Sequence, residues 1–153
     1  MKSCRKIKKL LFLLVACVAL LSVCSCQSAK ALPVKLDFTL LFENVDESLS
    51  KKIMVGNVAT ESGSRLFMGT VEQVDNTEPY HEYQIDGEIK KIEYKNRRNV
   101  RIRITSNGEF IEGVGCSVNG IRIAVGKRFE LRFPDYVGVA YCTDLKWEII
   151  NED

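Results

Sequence analysis

His81, the only histidine, and two cysteines distant from the amino terminus, Cys116 and Cys142, are the side chains here best suited to proton transfer, nucleophilic attack or metal ligation. A hydrolase or transferase needs a nucleophile beside a base, or a carboxylate pair in a pocket. His81 stands in Pro79-Tyr80-His81-Glu82-Tyr83, a loop or strand start with aromatic cover, where it reads as a surface or hydrogen-bonded polar residue. Zinc takes three or four ligands at suitable spacing, which one histidine and two separated cysteines do not supply. Cys116 has no partner in its vicinity to lower its pKa. Gly113-Val114-Gly115-Cys116 lacks the Lys-Ser/Thr signature and the following helix of a phosphate loop. The sequence therefore points away from an enzyme, and it implies no cofactor and no metal.

The remaining chemistry is that of attachment and charge. A basic head (Lys2, Arg5, Lys6, Lys8, Lys9) leads into an apolar run of 14 residues from Leu10 to Val23, then Cys24-Ser25-Cys26. Positive charge before an apolar segment orients an exported chain. The run is shorter than the roughly 20 residues an untilted spanning helix needs, which favours a signal peptide. Val23-Cys24-Ser25-Cys26 is a loose bacterial lipobox, with Cys26 as the thiol that would take the diacylglycerol. Two other outcomes stay open: an uncleaved single-span anchor, and full release. With cleavage at Cys26, Cys116 and Cys142 are the cysteines left in the exported part. An oxidising compartment permits a disulfide between them, and two free thiols serving as small apolar core residues are the alternative.

Charge is unevenly spread. Removing the five basic residues of the head leaves 17 bases against 20 acids, a net charge of −3, which gives no case for nucleic acid. Residues 84–132 nevertheless hold 11 basic and 6 acidic side chains. Within that block Lys95, Arg97, Arg98, Arg101 and Arg103, with Lys90 and Lys91 beside them, suit lipid headgroups, an anionic envelope polymer or an acidic protein face. The competing reading is a solvated strand face whose charges protect a sheet edge, because Val100, Ile102 and Ile104 alternate with Arg101 and Arg103.

The elements that must position these groups are strands. Residues 27–33 form a short tether, and residues 34–153 a single domain. Val34, Leu36, Phe38, Leu40 and Phe42 share one face by two-residue periodicity. Strands are expected near Ile53–Val58, Leu66–Val74, Tyr80–Ile85, Glu88–Tyr94, Asn99–Thr105, Cys116–Val118, Ile121–Val125, Arg128–Phe133, Tyr136–Tyr141 and Lys146–Ile150. Ser62-Gly63-Ser64, Asp86-Gly87, Asn107-Gly108 and Asn119-Gly120 carry turn chemistry. One or two helical turns over Asp46–Lys52, with Asp46 as N-cap, are the only helix expected. Ile53-Met54-Val55-Gly56, with Gly69 thirteen positions after Gly56, recurs as Ile123-Ala124-Val125-Gly126, with Gly138 twelve positions after Gly126. Such an internal duplication of strand, turn and return strand would build an all-β domain, a small barrel or barrel-like sandwich, whose closure removes sheet edges.

Ser48 to Val58, Gly69-Thr70-Val71, Asp86-Gly87, Val100 to Ile104 and Val118-Asn119-Gly120 through Gly126 together resemble an uncharacterised bacterial family, domain of unknown function 4330. The resemblance covers roughly Val34 to Trp147. It implies a small exported protein held to the membrane by an N-terminal apolar segment, and it carries no activity. The chain departs from that family in having Gly56-Asn57 where Gly-Asp is usual, and in the cysteines that replace a longer spanning helix. Two functions are consistent with these readings. The first is a non-catalytic, membrane-held module at the extracytoplasmic face that binds a protein or envelope polymer through its basic block. The second is a small-ligand carrier or sensor using a barrel mouth near Tyr80, Tyr83 and Tyr94.

Overall fold

A computed structural model describes residues 30–150 of the protein; the apolar segment and Cys26, and with them the lipidation and anchoring readings, lie outside the described residues. The chain is all-β, as its alternation implies. In order it forms β1 (Ala31–Asp46), α1 (Glu47–Ser50), β2 (Val58–Glu61), β3 (Phe67–Thr77), β4 (Tyr80–Ile85), β5 (Glu88–Glu93), β6 (Arg97–Ile111), β7 (Gly115–Val118), β8 (Ile121–Ile123), β9 (Arg128–Phe133) and β10 (Tyr136–Ile149). Asp46 caps α1 by accepting from the Ser48 N–H at 2.9 Å.

β1 pairs with β10 along one edge and with β6 along the other, all antiparallel. The order β1–β10–β9–β2–β3–β6 therefore returns to β1, and six strands close a barrel. The β7–β8 hairpin extends the β6 edge beyond the point where β3 leaves it. Val34, Leu36, Phe38, Leu40 and Phe42 point inward and are wholly buried, facing Val100, Ile102, Ile104 and Leu131. An eight-stranded barrel is just wide enough for side chains to fill. Six strands leave less room, and these residues occupy it. The outer wall carries Lys35, Asp37, Arg101, Arg103 and Lys146, so the barrel is apolar inside and charged outside.

The repeated phrase adopts one structure twice. Gly56 N–H donates to Val71 O at 2.8 Å and Val71 N–H to Asn57 O at 3.0 Å; Gly126 and Lys127 make the same pair with Cys142, at 2.7 and 2.9 Å. Gly56 and Gly126 have φ of 83° and 82°, the left-handed region that glycine enters at least cost. Ile53 and Ile123 are buried, while Val55 and Val125 are 63% and 62% exposed. The equivalence extends to the strands that follow. Exchanging β1, β2 and β3 for β6, β9 and β10 reproduces the ring, with β1–β6 and β2–β9 as pairs that map onto themselves. The barrel is thus two interlocked three-stranded units. α1 joins the long strand to the hairpin in the first unit, β7–β8 does so in the second, and β4–β5 is inserted between the units.

Four local expectations are corrected. Ala31, Leu32 and Pro33 belong to β1, opposite Ile111, Phe110 and Glu109, so the tether is shorter than read. Residues 53–57 form a turn instead of a strand, because Gly56 and Asn57 bond to Val71 across the chain. Asn107-Gly108 is no turn. It lies within β6, where a Cβ on Gly108 would run into the Ser117 carbonyl and the Leu36 side chain. Gly69 and Gly138 are not counterparts: Gly69 lies opposite Ala59, and the corresponding partner of Phe129 is Ala140.

Candidate functional site

The basic block does not form one positive surface. Arg101 and Arg103 project from the barrel wall, because β6 alternates and its other residues, Val100, Ile102 and Ile104, fill the core. Arg101 lies opposite Asp75 of β3, and Arg103 Nε is 3.9 Å from Asp37 Oδ1 of β1. Arg97 and Arg98 sit at the barrel rim, where β6 begins. Arg98 is 23% exposed and is held between Glu47 at 3.4 Å and Glu78 at 3.3 Å, while Arg97 donates to Asn44 O at 3.2 Å. Lys95 lines a cavity of about 220 Å³ together with Glu47, Glu78, Glu93 and Arg98, so acids outnumber bases there. The five residues proposed as a contact set are therefore divided between wall and rim, and Arg98 and Arg103 already have carboxylate partners. Spacing along the chain shows the bases but not the acids that β1, α1 and β3 bring to them.

Of the three tyrosines, Tyr94 lines the rim cavity beside Glu47, Glu78 and Arg98, and Tyr80 and Tyr83 are not among its lining residues. Tyr80 and Tyr83 lie on β4, and Tyr94 follows β5, at the base of a hairpin that stands apart from the main sheet. Its Asp86-Gly87 turn has φ of 53° and 84°, positive at both central residues as a two-residue hairpin turn requires. Glu82 and Lys91 pair across it at 3.1 Å, and Lys91 Nζ lies 4.6 Å from the Tyr80 ring centroid. Lys91 has its pKa raised by the bond to Glu82, then by that charge and by Tyr80. His81, opposite Ile92, is exposed on the same hairpin. Among the described residues no group of three or more His, Cys, Asp or Glu is placed to hold a metal.

The hairpin departs most from what folding alone explains. A two-stranded hairpin is marginally stable by itself. Here Tyr80, Ile85, Ile92 and Tyr94 are exposed and Ile89 is 71% exposed. Both outer edges also lack a strand partner among the described residues. Unpaired edges mark interaction surfaces, and exposed apolar groups stand on both faces of this hairpin, Tyr80 and Ile89 on one and Ile85, Ile92 and Tyr94 on the other. Sequence reading located both strands, but it did not show that their apolar residues stay outside the core. The signal that separates them is position: β4–β5 falls between the repeated units, where the barrel has no use for it.

A second hollow, about 510 Å³, gathers the Val118-Asn119-Gly120 turn with Glu61, Lys127 and Arg128. Its polar groups are engaged in holding the fold. Asn119 Nδ2 donates to Phe67 O at 2.8 Å and Lys127 Nζ to Arg122 O at 2.8 Å. Glu61 accepts from the Ser64 backbone and hydroxyl, which lowers its pKa.

Cys116 and Cys142 are free and buried. Cys142 faces Leu40 of β1, whereas Cys116 faces Phe110, itself opposite Leu32. Eight residues of β1 separate those positions, about 26 Å at a strand's rise, and a disulfide needs Cα atoms within about 7 Å. Burial raises both thiol pKa values, so both are protonated at neutral pH. Iodoacetamide at pH 8, followed by peptide mass mapping, is expected to leave both unmodified in the folded protein and to modify both in 6 M guanidinium. A Cys116–Cys142 linked peptide would overturn this.

No family model, curated protein or solved structure matches this chain, so the resemblance to the uncharacterised family rests on the motifs quoted above. Among the described residues no helix is long and apolar enough to cross a membrane.

Proposed function

We propose that this is a non-catalytic binding module, exported and held at the extracytoplasmic face of a bacterial membrane, that engages a protein through the β4–β5 arm. The basic head, the short apolar run and Cys26 support the location, with lipid attachment at Cys26 favoured over a single span by the length of the run. One observation carries the binding role. The barrel closes without the arm, and the arm leaves Tyr80, Ile85, Ile89 and Ile92 in solvent. The arm replaces the basic block as contact surface because Arg98 and Arg103 are paired to Glu47, Glu78 and Asp37. The wholly buried Leu36, Phe38, Leu40 and Ile102 point into the barrel, which favours this reading over a ligand carried inside it.

A photoreactive amino acid at Ile89, compared with one at Arg103, tests the assignment in intact cells expressing the full chain. Adducts at position 89 and none at 103 are expected. Adducts at 103 alone would return the contact to the charged wall, and reversing the charge at Arg97, Arg98 and Arg101 would then abolish association in a salt-dependent manner.

A further inference from the structure

We propose that the partner of the arm is a second copy of this chain, joined through antiparallel pairing of the two β5 edges about a two-fold axis at Ile92; this rests on the assignment of the arm as the binding element.

Backbone direction limits which residues can meet. Tyr94 N–H donates to Pro79 O at 3.1 Å, continuing the β4–β5 ladder in which Ile92 lies opposite His81 and Lys90 opposite Tyr83. Residues of an antiparallel strand alternate between turning both backbone polar groups toward one neighbour and toward the other. Lys90 and Ile92 therefore face β4, and Ile89, Lys91 and Glu93 turn their N–H and C=O outward. No strand among the described residues receives them.

Two copies of one edge can bond only where outward residues oppose outward residues, which places the two-fold axis on a residue and never between two. The sequence of β5, Glu88-Ile89-Lys90-Lys91-Ile92-Glu93, then separates the registers by charge. An axis at Lys90 or at Lys91 sets that lysine against its own copy, which is destabilising. An axis at Ile89 carries the ladder into the Asp86-Gly87 turn. With the axis at Ile92, Lys91 opposes Glu93 of the second copy, Glu93 opposes Lys91 of the second copy, and Ile92 packs on Ile92 of the second copy. Lys90 meets Tyr94 of the second copy at each end. Ion pairs directly opposite and apolar pairs between them are the unit of sheet stabilisation. The same pairing also covers an edge that other chains would otherwise join. A C2 arrangement of this kind closes at two copies and does not propagate.

The Ile92 pair would be of the non-hydrogen-bonded kind, with Cα atoms about 4.5 Å apart, inside the range a disulfide accepts. The full-length chain carrying Ile92→Cys, oxidised in membranes with copper-phenanthroline, is expected to run as a covalent dimer on a non-reducing gel. The unaltered chain and Lys90→Cys give the background. Lys91→Pro removes an outward N–H from each copy and leaves the hairpin's own backbone bonds intact, since proline is tolerated on edge strands; like Lys91→Ala, it also removes the Lys91–Glu82 ion pair. Added to Ile92→Cys, it is expected to lower dimer yield at least about 10-fold. Lys91→Ala, which keeps the N–H, is expected to lower it less. Sedimentation of the unaltered protein in detergent should show two chains per particle. A single chain at every concentration, or an Ile92→Cys yield no higher than Lys90→Cys, overturns the pairing. The adducts at position 89 then distinguish the two readings: a mass other than twice the chain preserves the arm and replaces its partner, and no adduct removes both.

Discussion

Phe42→Ala is expected to destabilise the barrel by about 3–5 kcal/mol, the range for truncating a fully buried aromatic. Phe42 has no exposed surface, and its ring centroid lies 5.9 Å from those of both Phe133 and Tyr136. It ties β1 to the β9–β10 turn. β1 belongs to one repeat unit and β9 and β10 to the other, so the cavity would open where the units interlock. A domain of this size holds about 5–15 kcal/mol in total. The variant should therefore lose a large share of its urea midpoint with the slope unchanged. Tyr141→Ala, at an exposed site on β10, is the control and should shift stability by less than about 0.5 kcal/mol. Equal shifts in the two variants would mean that β1 does not organise the core.

Gly69→Ala is expected to cost about 2–6 kcal/mol, from backbone strain and overpacking together. Gly69 has φ of 144°, and a Cβ there would lie 2.7 Å from the Thr105 carbonyl oxygen and against the Ile104 side chain. The carbonyl belongs to β6, with which β3 pairs from Thr70 onward, so it cannot withdraw without breaking the ladder. Gly87→Ala separates strain from crowding. That glycine has φ of 84° with open space around its would-be Cβ, and only the left-handed penalty of about 1–2 kcal/mol applies. Because Gly87 lies at the arm's tip, its loss should appear in hydrogen exchange of residues 80–93 and leave the barrel's midpoint in place. A Gly69→Ala midpoint no lower than that of Gly87→Ala would show that β3 can move away from β6.

The two repeat units explain why the arm could be recognised only in three dimensions. In the sequence, Ile85, Ile89 and Ile92 stand among polar neighbours four and three positions apart, while Val100, Ile102 and Ile104 alternate strictly, and both stretches read as strands. Alternation says that a strand has two different faces. Whether anything covers the apolar face depends on strands far away in the chain. The inward residues of β6 are buried in one core with those of β1, β3 and β9; Ile89 and Ile92 of β5 are exposed and join no core cluster among the described residues.

The basic block illustrates the same limit for electrostatics. Arg98 and Arg103 stand in a run of cations, yet Glu47, Glu78 and Asp37 reach them from 20 to 66 positions away. At 3.3 to 3.9 Å those carboxylates change the local field more than the neighbouring arginines do, since interaction energy falls with distance. Reading charge along the chain overstated the positive surface for that reason.

Sequence alone determined what depends on near neighbours. Side-chain alternation set the all-β class and the inward faces of β1 and β6; Asp86-Gly87 and Asn119-Gly120 set turns because Gly, Asn and Asp accept positive φ at least cost; Asp46 set a helix cap; and the recurring Val-Gly phrase announced two units. Tertiary structure decided the ring order, the conversion of Ile53 to Asn57 into a turn, the continuation of β6 through Asn107-Gly108, and the separation of Cys116 from Cys142. Each of these turns on hydrogen bonds and packing between residues distant in the chain. Closure of the barrel selects among such partners only when both units are in place.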